Sequence, residues 1–280
     1  MSFYVLFFGA KKSTKRKLRT EITSRDLRPR ALILERWGVM GECVMEVKIG
    51  MAKTSKYATE VCGDTCDIVE RPHGGISAII ADGQGNGLAA HHTSSWVVNK
   101  ATQLISDGAR DGAVARAVHD YLYAMKDKKV SCTLTVVSAD LDTETAVISR
   151  NSNCPVIIKT PEYETVYDEN VEPIGVNRHM KPLMYEVPLT AGMLIVSYTD
   201  GIAHAGKKRL GHPADFEKIM DIVRKNEAED AAFIAKSIMD YALELDAEKA
   251  SDDMTVLVMG ITDGSPSSPK IEQLEVTYPY

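Results

Sequence analysis

Ile79-Ile80-Ala81-Asp82-Gly83-Gln84-Gly85-Asn86-Gly87 carries an apolar strand into an aspartate, then into a glycine-rich turn and the start of a helix. Two other stretches repeat part of that arrangement. Ile195-Val196-Ser197-Tyr198-Thr199-Asp200-Gly201 is again an apolar strand ending in Asp-Gly, and Ser251-Asp252-Asp253-Met254-Thr255-Val256-Leu257-Val258 sets acids at the start of a strand. An aspartate at a strand end is held by a rigid sheet, and a glycine after it lets the backbone turn sharply and leaves a carbonyl open to a ligand. Hard divalent cations take such oxygen donors, need few carboxylates and keep several waters. A fourth acid, Asp64 in Gly63-Asp64, falls between the first strand and the strand at 76–81, within reach of the same edge. Taken singly, an Asp-Gly pair is usually a turn and an Asp-Asp pair usually solvated charge. Three acids at the ends of apolar strands, in this order, point past turn chemistry to a shared cation site.

Outward from these stretches the chain reads as blocks. Met45, Val47, Ile49 and Met51 alternate with polar or small residues and predict a first strand. Helices are predicted over 88–105 and 113–125; in the second, Val114, Ala117, Val118, Tyr121, Leu122 and Met125 share one face. Strands follow at 132–138, 145–149, 156–159, 183–187 and 193–198, then helices at 214–225 and 230–245 and a last strand at 254–261. Such blocks, without strict βαβ alternation, predict an α+β fold of antiparallel sheets covered by helices. Residues 1–44 show no sustained period and are expected to be a disordered arm or to lie ahead of a native start at Met40 or Met45. The folded domain is expected over 45–262. The segment 263–280, with Gly264, Ser265, Pro266, Ser267, Ser268 and Pro269, reads as a flexible tail.

Composition narrows the partners. The 280 residues are 44% hydrophobic and 26% charged, the make-up of a soluble globular protein with one substantial core. A formal net charge of -6 gives no overall attraction to nucleic acid or to an anionic membrane. The apolar run at residues 3–8 is far shorter than the ~20 residues of a membrane span, and it precedes its basic cluster, the reverse of a secretory signal. Five cysteines without regular spacing read as free thiols in a reducing compartment, so the cytoplasm is expected. Cys62 and Cys66 lack the second close pair that a zinc site needs, since His91 and His92 are adjacent.

Cys62-Gly63-Asp64, Ala81 to Gly87, Tyr198-Thr199-Asp200-Gly201 and Ser251-Asp252-Asp253-Met254-Thr255 stand in the order and with the separations of one family. Over residues 46–262 the sequence resembles the metal-dependent protein phosphatases (PPM, type 2C-like), in their bacterial sporulation and stressosome branch, with the RsbX-type stressosome phosphatases as its nearest likeness there. That resemblance implies an αββα sandwich with two Mn²⁺ or Mg²⁺ ions at one end between the sheets. It implies that Asp82 bridges both ions, that Asp200 and Asp252 complete the first, and that Asp64 with the Gly83 carbonyl holds the second. Asp253 is then a further metal-site residue, acting through water. The implied reaction is hydrolysis of phosphoserine or phosphothreonine by a water that the two ions activate for in-line attack. The implied partners are phosphorylated regulatory proteins, STAS-domain stressosome components among them, acted on by a monomer.

Two departures from the family pattern stand out. Gln84 occupies the place of a histidine that protonates the leaving group in many relatives, which leaves a water, His91 or His92 for that task. The phosphate-contacting arginine of larger members has no match upstream of Asp64. Lys207-Lys208-Arg209 reads as a solvated loop. The alternative function is an ATP-binding anti-sigma or kinase-like module using Asp82-Gly83-Gln84-Gly85, which gives Asp200 and Asp252 no role.

Overall fold

A computed structural model describes residues 45–264 and 272–277. The arm expected over 1–44 lies outside the described residues, as do 265–271 and 278–280 of the expected tail; residues 272–277 have no regular structure.

Ten strands are described: β1 Met45–Thr54, β2 Asp64–Glu70, β3 Gly75–Asp82, β4 Leu134–Asp140, β5 Thr145–Asn151, β6 Val156–Lys159, β7 Glu164–Tyr167, β8 Leu183–Pro188, β9 Met193–Tyr198 and β10 Met254–Asp263. They form two antiparallel five-stranded sheets, one in the order β1-β10-β9-β6-β7 and the other β2-β3-β4-β5-β8. Helices α1 Gly87–Ser106 and α2 Asp111–Met125 cover the β2-β3-β4 face of the second sheet. After β9 come two single turns, α3 Asp200–Ala203 and α4 Lys207–Leu210, then α5 Phe216–Lys225, a 3₁₀ turn Ala228–Asp230 and α6 Ala231–Leu245, which lies on β1 and β10 of the first sheet. The four layers are the predicted αββα sandwich. No helix among the described residues is long and apolar enough to cross a membrane.

Three apolar layers fill the space between these elements. Ile80, Val137, Ile148, Ile195, Leu257 and Met259 belong to the layer between the sheets. Ile79, Val136, Val97 and Val118 pack under α1 and α2, and Val196, Val256, Val258, Ile234 and Ile238 under α6. Central strands are therefore apolar on both faces, as a sheet covered on both sides requires. β10 is buried from Met254 to Thr262, which explains why its sequence shows no alternation.

Two strands went unread in the sequence. β2 (Asp64-Thr65-Cys66-Asp67-Ile68-Val69-Glu70) is an edge strand with polar residues on half its length, and β7 is four residues long. The Lys207-Lys208-Arg209 stretch is a helical turn rather than a loop: Lys208 Nζ donates to the Ser251 carbonyl (2.7 Å) and Arg209 Nε to that of Leu245 (2.7 Å).

Candidate metal centre

Strand parity sets the site. Side chains alternate along a strand, so residues two apart share a face, and directly opposite residues of antiparallel neighbours point the same way. Asp64 and Asp82 are opposite one another at the open end of the β2–β3 hairpin. They share parity with Cys66 and Ile80, which belong to the layer between the sheets. In the other sheet Thr199 follows the parity of Ile195, and Asp253 and Thr255 that of Leu257 and Met259. The inter-sheet space thus ends, on one side of the sandwich, in Asp64, Asp82, Thr199, Asp253 and Thr255.

Asp64 is wholly buried. Its Oδ2 accepts from the hydroxyls of Thr199 (2.8 Å) and Thr255 (2.7 Å), tying β2 to the ends of β9 and β10. Its Oδ1 is buried with no hydrogen-bond partner. A buried carboxylate oxygen left without a donor is costly, and a cation is the partner it lacks. Asp82 lies beside it, its peptide N–H donating to Thr133 Oγ1 (3.2 Å) and its carbonyl accepting from Thr133 N–H (2.8 Å). Burial, and then the charges of Asp64, Asp200 and Asp252, push the Asp82 carboxyl up to about 8. Burial also lifts Asp64 to about 6 against the lowering effect of the Thr255 and Thr199 hydroxyls. Asp200, at the start of α3, is raised chiefly by burial, with His204 opposing (Nδ1 to Oδ2, 3.7 Å).

Asp82, Gly83, Asp200, Asp252 and Asp253 line one pocket together with Gln84, Gly85, Ser131, Cys132, Thr133 and Pro173. Asp64 lies beneath it and is coupled electrostatically to Asp82, Asp200 and Asp253. All six residues singled out in the sequence are thereby gathered at one end of the sandwich. Among the described residues no three His, Cys, Asp or Glu side chains converge tightly enough to enclose an ion by themselves. Anions that repel one another stand apart, and Mg²⁺ or Mn²⁺ completes its shell with water and carbonyl oxygens. The donor set is all oxygen, carries an orphaned buried carboxylate oxygen, and has carboxyls that burial and mutual repulsion drive toward protonation. On those three counts it fits hard divalent cations.

The two glycines after Asp82 and Asp200 act differently from the sequence reading. Neither has a positive φ. A Cβ at Gly83 would fall onto the Ala90 carbonyl of α1, and one at Gly201 onto the Asp253 carbonyl. Close backbone approach, rather than a sharp turn, excludes side chains there. Gln84 does not reach for a substrate: its Oε1 accepts from the backbone N–H (2.9 Å) and hydroxyl (3.0 Å) of Ser131, fastening the pocket lip. His91 Nδ1 donates to the Cys62 carbonyl (3.0 Å) and His92 is exposed on α1; neither lines the pocket. The Cys132 thiol is pushed far up by burial, Asp82 and Asp64, so it stays protonated and is no nucleophile.

Sequence reading missed the two threonines that orient Asp64. Both stood in the quoted motifs, one residue before Asp200 and two after Asp253, and strand parity would have aimed them inward. It also missed Lys56, whose backbone N–H donates to Asp253 Oδ1 (2.9 Å) and whose ammonium lies 3.9 Å from Asp252.

The family model described as Stage II sporulation protein E (SpoIIE) matches residues 72–262, which take in Asp82, Asp200, Asp252 and Asp253 and leave out Asp64. Stage II sporulation protein E of Bacillus subtilis (strain 168) is 24% identical over 220 residues, 79% of this chain and 26% of that protein. The chain thus spans about a quarter of that curated relative. Among solved structures, the PP2C phosphatase domain with a regulatory-domain fragment of SpoIIE from Bacillus subtilis superposes with a TM-score of 0.68 at 23% identity, covering 80% of this chain and 66% of that one. RsbX in complex with magnesium superposes at 0.60 and 15% identity, covering 79% of this chain and all of the other. At these identities the superpositions speak for the fold, which is that of the PP2C phosphatases. The family match extends over about two thirds of the sequence, and by it the chain belongs to the SpoIIE family of PP2C-type (PPM) domains.

Proposed function

We propose that this chain is a metal-dependent protein serine/threonine phosphatase, with residues 45–262 as its catalytic domain. The observation that carries the proposal is the gathering of five aspartates at one end of the inter-sheet space, with Asp64 Oδ1 buried and unpartnered. Two Mn²⁺ or Mg²⁺ ions are the group these residues suit. Asp82, Asp200 and Asp252, and Asp64 with the Gly83 carbonyl, would hold them, while Asp253 would act through water. When bound, such ions activate a water and offset charge on the phosphoryl oxygens.

The chain's own contribution is positional. Thr199 and Thr255 fix the Asp64 carboxylate, leaving one oxygen free. Thr133 holds the Asp82 peptide from both sides, and the Gln84–Ser131 clasp keeps the lip in place. With Gln84 devoid of an acidic proton and both His91 and His92 turned elsewhere, solvent protonates the leaving alkoxide.

The substrates we infer are phosphorylated STAS-domain proteins of a stressosome or anti-sigma pathway, a reading supported by the fold shared with RsbX. The setting inferred is the cytoplasm, in keeping with the free thiols Cys62, Cys66, Cys132 and Cys154.

A metal-titrated assay on p-nitrophenyl phosphate and on phosphoserine and phosphothreonine peptides tests the proposal. Turnover is expected to require Mn²⁺ or Mg²⁺. Asp82→Asn and Asp200→Asn are each expected to lower it by at least ~10³-fold, the several kcal/mol a catalytic metal contributes, with the circular dichroism spectrum retained. Wild-type turnover by either variant contradicts the metal assignment.

A further inference from the structure

We infer that Lys56 is the phosphate-positioning cation of this site, an inference that rests on the phosphatase reading. Five aspartates carry five negative charges and two divalent ions four positive ones, so the loaded centre keeps about one negative charge. A phosphate monoester arrives with roughly -1.5 to -2 of its own. A fixed cation at the mouth removes that repulsion and holds a phosphoryl oxygen.

Lys56 is held beside Asp252 and Asp253, which line the pocket, by its backbone. It opens a tight turn in which the Thr59 N–H (3.0 Å) and hydroxyl (2.6 Å) both donate to the Lys56 carbonyl, and Tyr57 N–H donates to the Ala250 carbonyl (2.8 Å). Ala58 takes φ +64 within it, a conformation that non-glycine residues adopt at a cost. The Lys56 N–H donates to Asp253 Oδ1 (2.9 Å), which pins the turn onto the carboxylate cluster.

The ammonium then sits between the two loops that carry the acids, 3.9 Å from Asp252 Oδ1 and 2.8 Å from Asn86 Oδ1, with 30% of the side chain still exposed. Asn86 occupies the N-cap position of α1, where an asparagine ordinarily accepts from its own helix. Here it makes no such bond and accepts from Lys56 instead. A capping interaction is forgone, and the ammonium is held beside Asp252, one of the residues that line the pocket. Neighbouring cations are engaged otherwise: Lys208 donates to the Ser251 carbonyl, and Lys53 Nζ to that of Asp64 (3.4 Å).

The test is calorimetric titration of inorganic phosphate into the Mg²⁺-loaded full chain, beside steady-state kinetics on p-nitrophenyl phosphate. Lys56→Met keeps the backbone N–H, the turn and the stem. It is expected to weaken phosphate binding and raise KM by about 30-fold, the size of one hydrogen bond to a charged group, with kcat within about threefold. Mg²⁺ affinity is expected to hold or tighten, because a positive charge beside Asp252 is gone. Lys56→Arg is expected to recover most of the phosphate affinity. Asn86→Ala is expected to cause a smaller loss without lowering the thermal midpoint, as Asn86 does not cap α1. Unchanged phosphate affinity in Lys56→Met overturns the inference, and so does a joint loss of Mg²⁺ and phosphate binding, which would make Lys56 a strut for Asp253. A wild type that binds Mg²⁺ and phosphate without hydrolysing phosphopeptides defeats the phosphatase reading and leaves the Lys56 comparison standing.

Discussion

The β2–β3 hairpin carries an acidic cluster with a buried aspartate at each end, Asp64 at one and Asp111 at the other, and the two are solved in opposite ways. At the turn, Arg71 reaches Asp111 of α2 (3.2 Å) and Asp140 of β4 (3.0 Å) while donating to Ser77 (3.0 Å) and Ser138 (3.2 Å). Ser77 and Ser138 share a further hydrogen bond (2.7 Å), and Ser138 donates to Asp111 (2.5 Å). That end is closed upon itself, with its cation covalently part of the chain. At the open end Asp64 and Asp82 face each other with Asp200, Asp252 and Asp253 near, and burial and repulsion raise the carboxyls of Asp64 and Asp82. Buried charge is tolerated when it is paired; where the chain supplies too little counter-charge, the deficit specifies what must be bound. One cluster fastens a helix to a sheet, and the other is a receptacle.

Removing the chain's own cation gives the largest effect. Arg71→Met leaves the buried Asp111 with the Ser138 hydroxyl but no cation, takes the counter-charge from Asp140, and is expected to destabilise the fold by about 3–5 kcal/mol, read as a lowered urea midpoint. Asp82→Asn, at the other end, is expected to leave the metal-free fold as stable or more so, because it removes one of several repelling carboxylates. A large loss from Asp82→Asn in chelator, or none from Arg71→Met, would erase the distinction between fastener and receptacle. Next in size comes the response to metal. Mn²⁺ at a hundredfold its dissociation constant is expected to add about 2.7 kcal/mol to the wild type by mass action. Asp82→Asn should show little of this gain, whereas a conservative change at the closed end, Ser77→Ala, should show all of it.

Why one end was legible in the sequence and the other was not follows from the same contrast. Asp82, Asp200 and Asp252 each terminate an apolar run, so local pattern alone placed them at sheet ends. The αββα layering followed from apolar blocks long enough to be buried on both faces. The Arg71 cluster draws on a turn, two strands and a helix separated by up to 69 residues, and no local pattern marks it. β2 was hidden because its residues are half polar at a sheet edge, so Asp64 was placed by its neighbours instead of by its own strand. Thr199 and Thr255 became readable as ligand holders only once parity was fixed by the register of β9 and β10. Gly83 and Gly201 suggested turns, because nothing local signals that another backbone will press against them. Lys56 is a loop lysine among many; its meaning comes from Asn86, thirty residues on, abandoning its own helix.

The comparison that separates the two ends most finely is the dependence of metal-free stability on pH. An unfolded aspartate titrates near ~3.9. In the fold Asp82 is raised to about 8 and Asp64 to about 6, both first by burial, so between those limits the folded chain binds more protons than the unfolded one. Stability in chelator must therefore be greatest toward pH 4–5 and fall as pH climbs through about 8. His119 works against this: burial lowers it while its Nδ1 accepts from Gly175 N–H (3.1 Å), so its contribution is present above the ordinary histidine value and lost on acidification. Subtracting the profile of Asp82→Asn from that of the wild type cancels His119 and leaves the carboxylate contribution alone. Mn²⁺ should turn that difference over, because ions favour the ionised carboxylates and their binding strengthens as pH rises. Urea midpoints across pH 5–8, with chelator and with Mn²⁺, measure both profiles; a chelator difference profile that is flat across the range would mean that the open end is no more frustrated than the end closed by Arg71.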